Sequence, residues 1–372
     1  LGAPEGQLRL TCQTKHLERT LPSMDHGAGL RAALDALRDI GALTSPEAAG
    51  DRGNLAAIGH RVVHGGERFF DATRIDQATI EAIRDLVPLA PLHNGPNLKG
   101  IEIAAELFPT TPQVAVFDTA FHRNIPEIAY RYAIPEAIYR THGLRRFGFH
   151  GTSHAYVCRR AAQWLGLPPD TLNALSLHLG NGASVAAVRG GRSIDTSMGM
   201  TPLEGLVMGS RSGDLDPALV ILLQQRLGLD PDQVERLLTK ESGLTGLCGD
   251  NDMRTIHRRA EAGAADAALA RDIFAYRARK YLGAYLAVVG PLDAIIFTGG
   301  IGEHDAWTRA AICRDLDHLG IALDQNANTR SLDQRDIRAI EAPHSRTRIL
   351  VIATDEEQEI ARQTWAVLHP AN

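Results

Sequence analysis

The chain has 372 residues, 44% of them hydrophobic and 22% charged, with a formal net charge of −5. That length accommodates two domains with substantial cores, and the composition is that of a globular protein and not of a disordered or collagen-like one. The acidic balance, with no dense Lys/Arg block, excludes a general nucleic-acid binder and points to small molecules or other protein chains as partners.

In chain order, residues 2–9 show no signal-peptide pattern and read as a polar strand or loop. Residues 32–38 and 81–86 carry apolar side chains at helical spacing, whereas 57–63 and 114–117 are apolar runs of strand length, an α/β pattern. GHRVVHGGERF, from residue 59, sets Arg61 and His64 at the end of the first run. An arginine there can grip a carboxylate or a phosphoryl oxygen with two parallel bonds, and a structural ion pair accounts for it equally well. APLHNGPN places His93 and Asn94 in a loop bounded by Pro and Gly, which can line a pocket and is equally accounted for by turn chemistry. Asp118 ends the strand 114–117, at the edge where α/β proteins gather ligand groups, although capping a helix is the commoner use of such an aspartate.

The aromatic and proline-rich stretch that follows Asp118 reads as a crossover between domains. FGFHGTSH then holds His150 and His154 four residues apart, with Gly151, Thr152 and Ser153 reading as a loop and N-cap ahead of a helix over 153–165. HExxH is absent, which argues against zinc, and the missing GxSxG elbow argues against a hydrolase built on Ser153. Residues 175–179 and 184–188 are strand-like, joined by Gly180-Asn181-Gly182 and turned again at Gly190-Gly191. Such turns serve an ordinary meander, and their bare N–H groups can equally approach a polyphosphate, with Arg211 downstream to spread its charge.

Helices are expected over 217–226, 231–239 and 264–289, before a strand at 294–298 that runs into GGIGE and a helix start. The apolar window 281–301 is broken by Pro291, Asp293 and a double glycine, so it is a helix and a buried strand instead of a membrane span. GGIGE has neither the GxGxxG nor the GxxxxGK[ST] spacing, which disfavours a P-loop kinase. It fits a phosphate or nucleoside turn, or a close strand-to-helix packing turn. A last strand over 348–353 leads to Asp355-Glu356-Glu357, where Glu356 is either an indirect Mg²⁺ ligand or an ordinary first-turn acid. Cys12, Cys158, Cys248 and Cys313 form no CxxC pair and suit free thiols in a reducing cytoplasm.

Taken together, GHRVVHGGE, APLHN, VFDTAFH, FGFHGTSH, HLGNG, DTSMGMTPLEGLVMGSRSGDLDP, FTGGIGE and TDEE resemble the ordered motif series of the acetate kinase family of short-chain carboxylate kinases, from about residue 58 to 361. The resemblance implies the duplicated α/β fold of acetate and sugar kinases, actin and heat-shock ATPases, with two domains around a nucleotide cleft. The N-terminal domain would be 1–122, completed by a C-terminal helix over 357–372, and the nucleotide-binding domain 123–356. It implies reversible phosphoryl transfer from ATP to acetate with Mg²⁺ or Mn²⁺, by direct in-line attack, in a cytoplasmic homodimer without nucleic-acid or membrane partners.

By the same resemblance, Arg61 and Arg211 would hold the carboxylate and the transferring phosphoryl group, His150 would donate to that group, and Asp118 would be an acid/base or positioning carboxylate. Val63, Leu92, Phe149 and Pro202 would line the methyl pocket. His178, Leu179, Gly180, Asn181 and Gly182 would wrap the ATP phosphates. Asp252, Met253 and Arg254, with Gly300, Ile301, Gly302, Glu303 and His304, would face the nucleoside, and Glu356 would join the magnesium shell. The family's opening NxGSSSxK segment is not in the sequence, and Asp355 and His304 stand where Asn is frequent. The first departure leaves impaired activity, or a nucleotide-binding fragment without catalysis, as an alternative; a propionate or butyrate kinase is another.

Overall fold

A computed structural model describes residues 5–12, 15–22, 26–43, 55–330 and 337–370. The chain divides into two compact units, Leu1–Ala120 with Glu357–Asn372, and Phe121–Glu356.

In the first unit, β1 (Glu5–Cys12) and β2 (Lys15–Pro22) pair as an antiparallel hairpin. A separate sheet has the order β3 (Ile58–Val62), β5 (Gln113–Phe117), β4 (Thr73–Arg74), with β3 parallel and β4 antiparallel to β5. The central β5 is buried along its whole length, as its uninterrupted apolar run requires. Val62, Ile83, Leu98, Ile101, Ala115 and Phe117 form the core, and Phe69 stacks on Phe117 with ring centroids 4.4 Å apart.

The helix Gln77–Asp85 is capped by Asp76, whose carboxylate accepts from the Thr79 N–H. The loop expected around His93 and Asn94 is instead helical, within Pro91–Leu107. Pro91 opens that helix at a position where its missing N–H costs nothing. Asn94 is buried because its amide accepts from the His64 N–H and donates to the His64 carbonyl, both at 3.0 Å. The closing helix, Glu356–Leu368, lies against β3 at Gly59. A Cβ there would sit 2.5 Å from Thr364 Oγ1 and 2.7 Å from Ile360 Cγ2, so only glycine permits the approach.

The second unit is organised on a six-stranded sheet. β6 (Ala174–Leu179), β7 (Ala183–Arg189) and β8 (Arg192–Thr196) form the antiparallel meander, and β9 (Ala294–Thr298) and β11 (Arg348–Ile352) run parallel to β6. β10 (Ile337–Ala339) closes the edge, giving the order β10-β11-β9-β6-β7-β8. Parallel pairing puts the carboxyl ends of β6, β9 and β11 at one edge, with His178 opposite Thr298. Open α/β sheets place their ligands at that edge.

Strand alternation puts Ala174, Ser176 and His178 on one face of β6, and Ser184, Ala186 and Val188 on the matching face of β7. The helix Gly151–Leu165 packs on that face through Tyr156, Val157, Cys158, Ala161 and Ala162. Its expected loop-and-cap start is shorter than anticipated. The helix begins at Gly151, and His150 is the residue before it, with φ +57°. Helices at Pro217–Leu227, Pro231–Lys240 and Ala265–Val289 match their expected positions within a residue.

Candidate active site

Unit 2 gathers the glycine loop, two histidines and Arg211 beyond the end of β6. Gly180-Asn181-Gly182 closes the hairpin, with the Gly180 N–H donating to the Gly182 carbonyl at 3.0 Å. The segment carrying Arg211 docks on it: the Gly209 N–H donates to the Asn181 carbonyl at 2.9 Å, and any Cβ at Gly209 would overlap the Asn181 side chain. Arg211 Nη1 donates to the Pro202 carbonyl at 3.1 Å. Burial pulls the Arg211 pKa down, although an arginine remains charged at neutral pH. His150 Nε2 and Arg211 Nη1 converge at Gly182, where an added Cβ would lie 3.2 and 3.8 Å from them. His150 reaches that place from the left-handed backbone conformation, which costs a non-glycine residue about 1–2 kcal/mol and marks a constrained site.

Behind this edge lies a cluster of imidazoles bonded to hydroxyls. His150 and His178 stack at 4.3 Å, and His178 Nδ1 bonds Ser153 Oγ at 2.8 Å. His154 is fully buried between Ser176 and Ser184, and His122 between Ser193 Oγ and the Phe149 carbonyl. Burial pushes the His122 pKa down to about 4, and burial with the neighbouring histidines holds His154 well below its usual value. Both are neutral at physiological pH.

A cavity of about 390 Å³ adjoins the glycine loop. Of the residues anticipated for a nucleotide, Gly180, Asn181, Asp252, Met253, Arg254, Gly300, Ile301 and His304 line it. Leu179 and Gly302 are buried instead. The Glu303 carboxylate turns away to accept from the Gly299 and Thr354 N–H groups, both at 3.0 Å, and so ties the ends of β9 and β11 together. GGIGE makes the close strand-to-helix packing turn: Gly299 adopts φ +76° pressed against the Leu179 backbone, and the helix Gly299–His304 follows directly on β9. Buried Arg309 fixes the far end of this segment by donating to the Gly302 and Glu303 carbonyls and to Asn328.

Asn251, His257 and Asp305 also line the cavity and were not anticipated. His257 falls four residues after Met253 on the helix Met253–Glu261, a spacing that could have revealed it. Asp305 caps the helix Ala306–Cys313 through Thr308, and its carboxylate accepts from His257 Nε2 at 2.7 Å. Burial alone would raise the Asp305 pKa, yet the bonds from His257 and Thr308 outweigh it and hold the group ionised below its usual range.

In unit 1, β3 and β5 run side by side and bring Arg61 to Asp118. Arg61 Nε donates to Oδ1 at 3.2 Å and Nη2 to Oδ2 at 2.5 Å, a bidentate pair in which Asp118 is wholly buried while Arg61 is 42% exposed. Val63 is buried, its N–H donating to Asn97 Oδ1. Leu92 lies in the first turn of Pro91–Leu107, and its side chain falls outside the described residues. Phe149 and Pro202 belong to unit 2, Phe149 buried and Pro202 half-buried.

Glu356 follows β11 at the sheet edge, and its Oε2 accepts from Thr152 Oγ1 at 2.6 Å. Among the described residues no cluster of three or more His, Cys, Asp or Glu could hold a metal unaided. A lone carboxylate of this kind fits magnesium, which keeps several waters and takes its other ligands from substrate phosphates. None of the helices among the described residues is long and apolar enough to cross a membrane.

The acetokinase family model matches residues 3–362. The chain is 51% identical to an acetate kinase of Syntrophobacter fumaroxidans over 96% of its own length and 85% of the relative's. It is 50% identical to one from Streptomyces avermitilis over 100% and 90%. This chain belongs to the acetokinase family. It is a phosphotransferase enzyme, and its fold is the α/β fold that the motif series implied. The crystal structure of Porphyromonas gingivalis acetate kinase superposes with a TM-score of 0.91 at 40% identity, covering 99% of this chain and 92% of the other. A propionate kinase from Francisella tularensis gives 0.90 at 38%, covering 99% and 91%.

The buried neutral histidines make the acetokinase chain acid-sensitive in a defined direction. An unfolded His122 binds its proton near pH 6.5 and the folded one only near pH 4, so between those values the unfolded state holds more protons and stability falls as pH falls. His122 alone contributes a loss of about 2 kcal/mol between pH 7 and pH 5. Denaturant unfolding at the two pH values measures it, and His122→Gln should show a drop smaller by that amount; an equal drop in both proteins refutes the assignment.

Proposed function

We propose that this acetokinase-family enzyme transfers the γ-phosphoryl group of ATP reversibly to acetate, giving acetyl phosphate and ADP by direct in-line attack. One observation carries the reading: the glycine loop, His150 and Arg211 meet at a single point beyond β6, where a transferring phosphoryl group would meet the His150 imidazole and the Arg211 guanidinium. The cavity bordered by Gly180, Gly300 and Asp252 is of a size to take the nucleoside. Arg61 holds the acceptor carboxylate. Its buried bidentate partner Asp118 supports a positioning role for that carboxylate in preference to an acid/base one, because both oxygens are committed to fixing the guanidinium.

Glu356 would hold the divalent ion, Mg²⁺ with Mn²⁺ as a workable substitute. The ion, when bound, neutralises charge on the ATP phosphates. The free buried thiols of Cys158, Cys248 and Cys313 agree with a reducing cytoplasm. A homodimer is supported by Pro217–Leu227, a helix with no buried residue: its exposed Leu219, Ile221, Leu222 and Leu227 present apolar surface that a second copy would cover. Sedimentation should return twice the chain mass; a monomer at micromolar concentration removes this assignment.

The superposition with a propionate kinase gives a longer carboxylate a specific claim as second substrate. One methylene in an apolar pocket changes binding by only about 1–3 kcal/mol, so turnover of both is expected with a preference of roughly 10–200-fold. The test is hydroxylamine trapping of acyl phosphate from MgATP with acetate, propionate or butyrate. Arg211→Ala should lower kcat on the order of a hundredfold or more, with much smaller changes in KM. No acyl phosphate from any of the three acids overturns the proposed reaction, and an unchanged kcat in the variant removes Arg211 from the phosphoryl group.

A further inference from the structure

The Ser184 hydroxyl lies between two imidazoles. Its Oγ is 2.9 Å from His150 Nδ1 and 2.9 Å from His154 Nε2, and His154 Nδ1 is 2.8 Å from Ser176 Oγ. Ser184, His154 and Ser176 are all completely buried. A hydroxyl has one proton and two lone pairs, so Ser184 either donates to one ring and accepts from the other or accepts from both, and a neutral imidazole has one N–H and one lone pair. For neutral rings the chain of bonds therefore has three polarities. In the first, His154 Nε2–H donates to Ser184, Ser184 donates to His150 Nδ1, and the proton of His150 resides on Nε2. In the second every bond is reversed, in the third both rings donate to Ser184, and in either of these His150 turns a lone pair toward Gly182.

One observation selects the first. His150 Nε2 faces the loop assigned to phosphates, and phosphoryl oxygens are acceptors only.

We propose that Ser176, His154 and Ser184 form a buried polar relay that holds His150 in its Nε2–H tautomer, making His154 and Ser184 positioning residues for phosphoryl transfer. The proposal rests on the reading of His150 as a donor to the phosphoryl group. Helix and strand geometry build the relay: positions 150 and 154 lie four apart along the helix start, while 176 and 184 share one face of the β6–β7 pair. No charge moves, and the buried His154 never needs to ionise.

The test is ¹⁵N–¹H NMR of the histidine side chains in the full chain at pH 8, with and without MgADP, for wild type, Ser184→Ala, His154→Phe and His154→Gln. The relay predicts that wild-type His150 is protonated on Nε2. Ser184→Ala and His154→Phe should populate the Nδ1–H form and lose kcat on the order of tenfold or more with KM nearly unchanged. His154→Gln, whose amide can still donate to Ser184, should recover most of the Nε2–H signal. A wild-type proton on Nδ1 overturns the relay even if no variant folds, as does an undisturbed Nε2–H in both disruptive variants. If the tautomer moves and kcat does not, the relay stands and the role of His150 in phosphoryl transfer falls.

Discussion

The register of β6 is the constraint on which the rest of this molecule depends. Pairing His178 with Ser184 on one side and with Thr298 on the other fixes three things together. It sets the position of the glycine loop, the height at which Gly299–His304 begins, and the face on which Ser176, His178 and Ser184 stand. A slip of one residue would turn those polar groups to the opposite face, which in β6 carries Leu175, Leu177 and Leu179, all fully buried. The apolar side of the sheet thus enforces the polar geometry of the other.

A site of this kind works by positioning. Phosphoryl transfer asks little covalent chemistry of a protein, and the residues here are correspondingly held in place by partners within the protein. Arg61 is clamped by both oxygens of Asp118, Arg211 is tied to the Pro202 carbonyl, and Glu303 laces β9 to β11. Histidines that would be costly if charged are buried with hydroxyl partners and stay neutral.

Much of this was legible in the sequence, for identifiable reasons. The apolar runs of β5, β6 and β9 announce buried strands, and Gly180-Asn181-Gly182 announces the hairpin, because local sterics decide both. What local pattern could not supply was the use of polar groups set by distant partners. The sequence offers Asn94 as a pocket-lining or turn residue in a loop, whereas it sits in a helix and bonds the backbone of His64, thirty residues away. The resemblance assigns Glu303 to the nucleoside side, and the structure adds that its carboxylate accepts from the distant Thr354 N–H as well as from Gly299. Asp305 carried a visible capping signal through Thr308, but nothing local revealed His257 as its other partner. His150 lies before its helix in a left-handed conformation that a Gly-Thr-Ser sequence does not encode by itself.

The central claim is that these fixed donors carry the phosphoryl group from ATP to a carboxylate in one step, with no residue of the chain taking it up on the way. ATP made chiral at the γ-phosphorus tests it most directly. A single in-line transfer predicts acyl phosphate with inverted configuration at phosphorus. Retention would require two successive transfers, with a phosphorylated side chain between them, and would contradict the account.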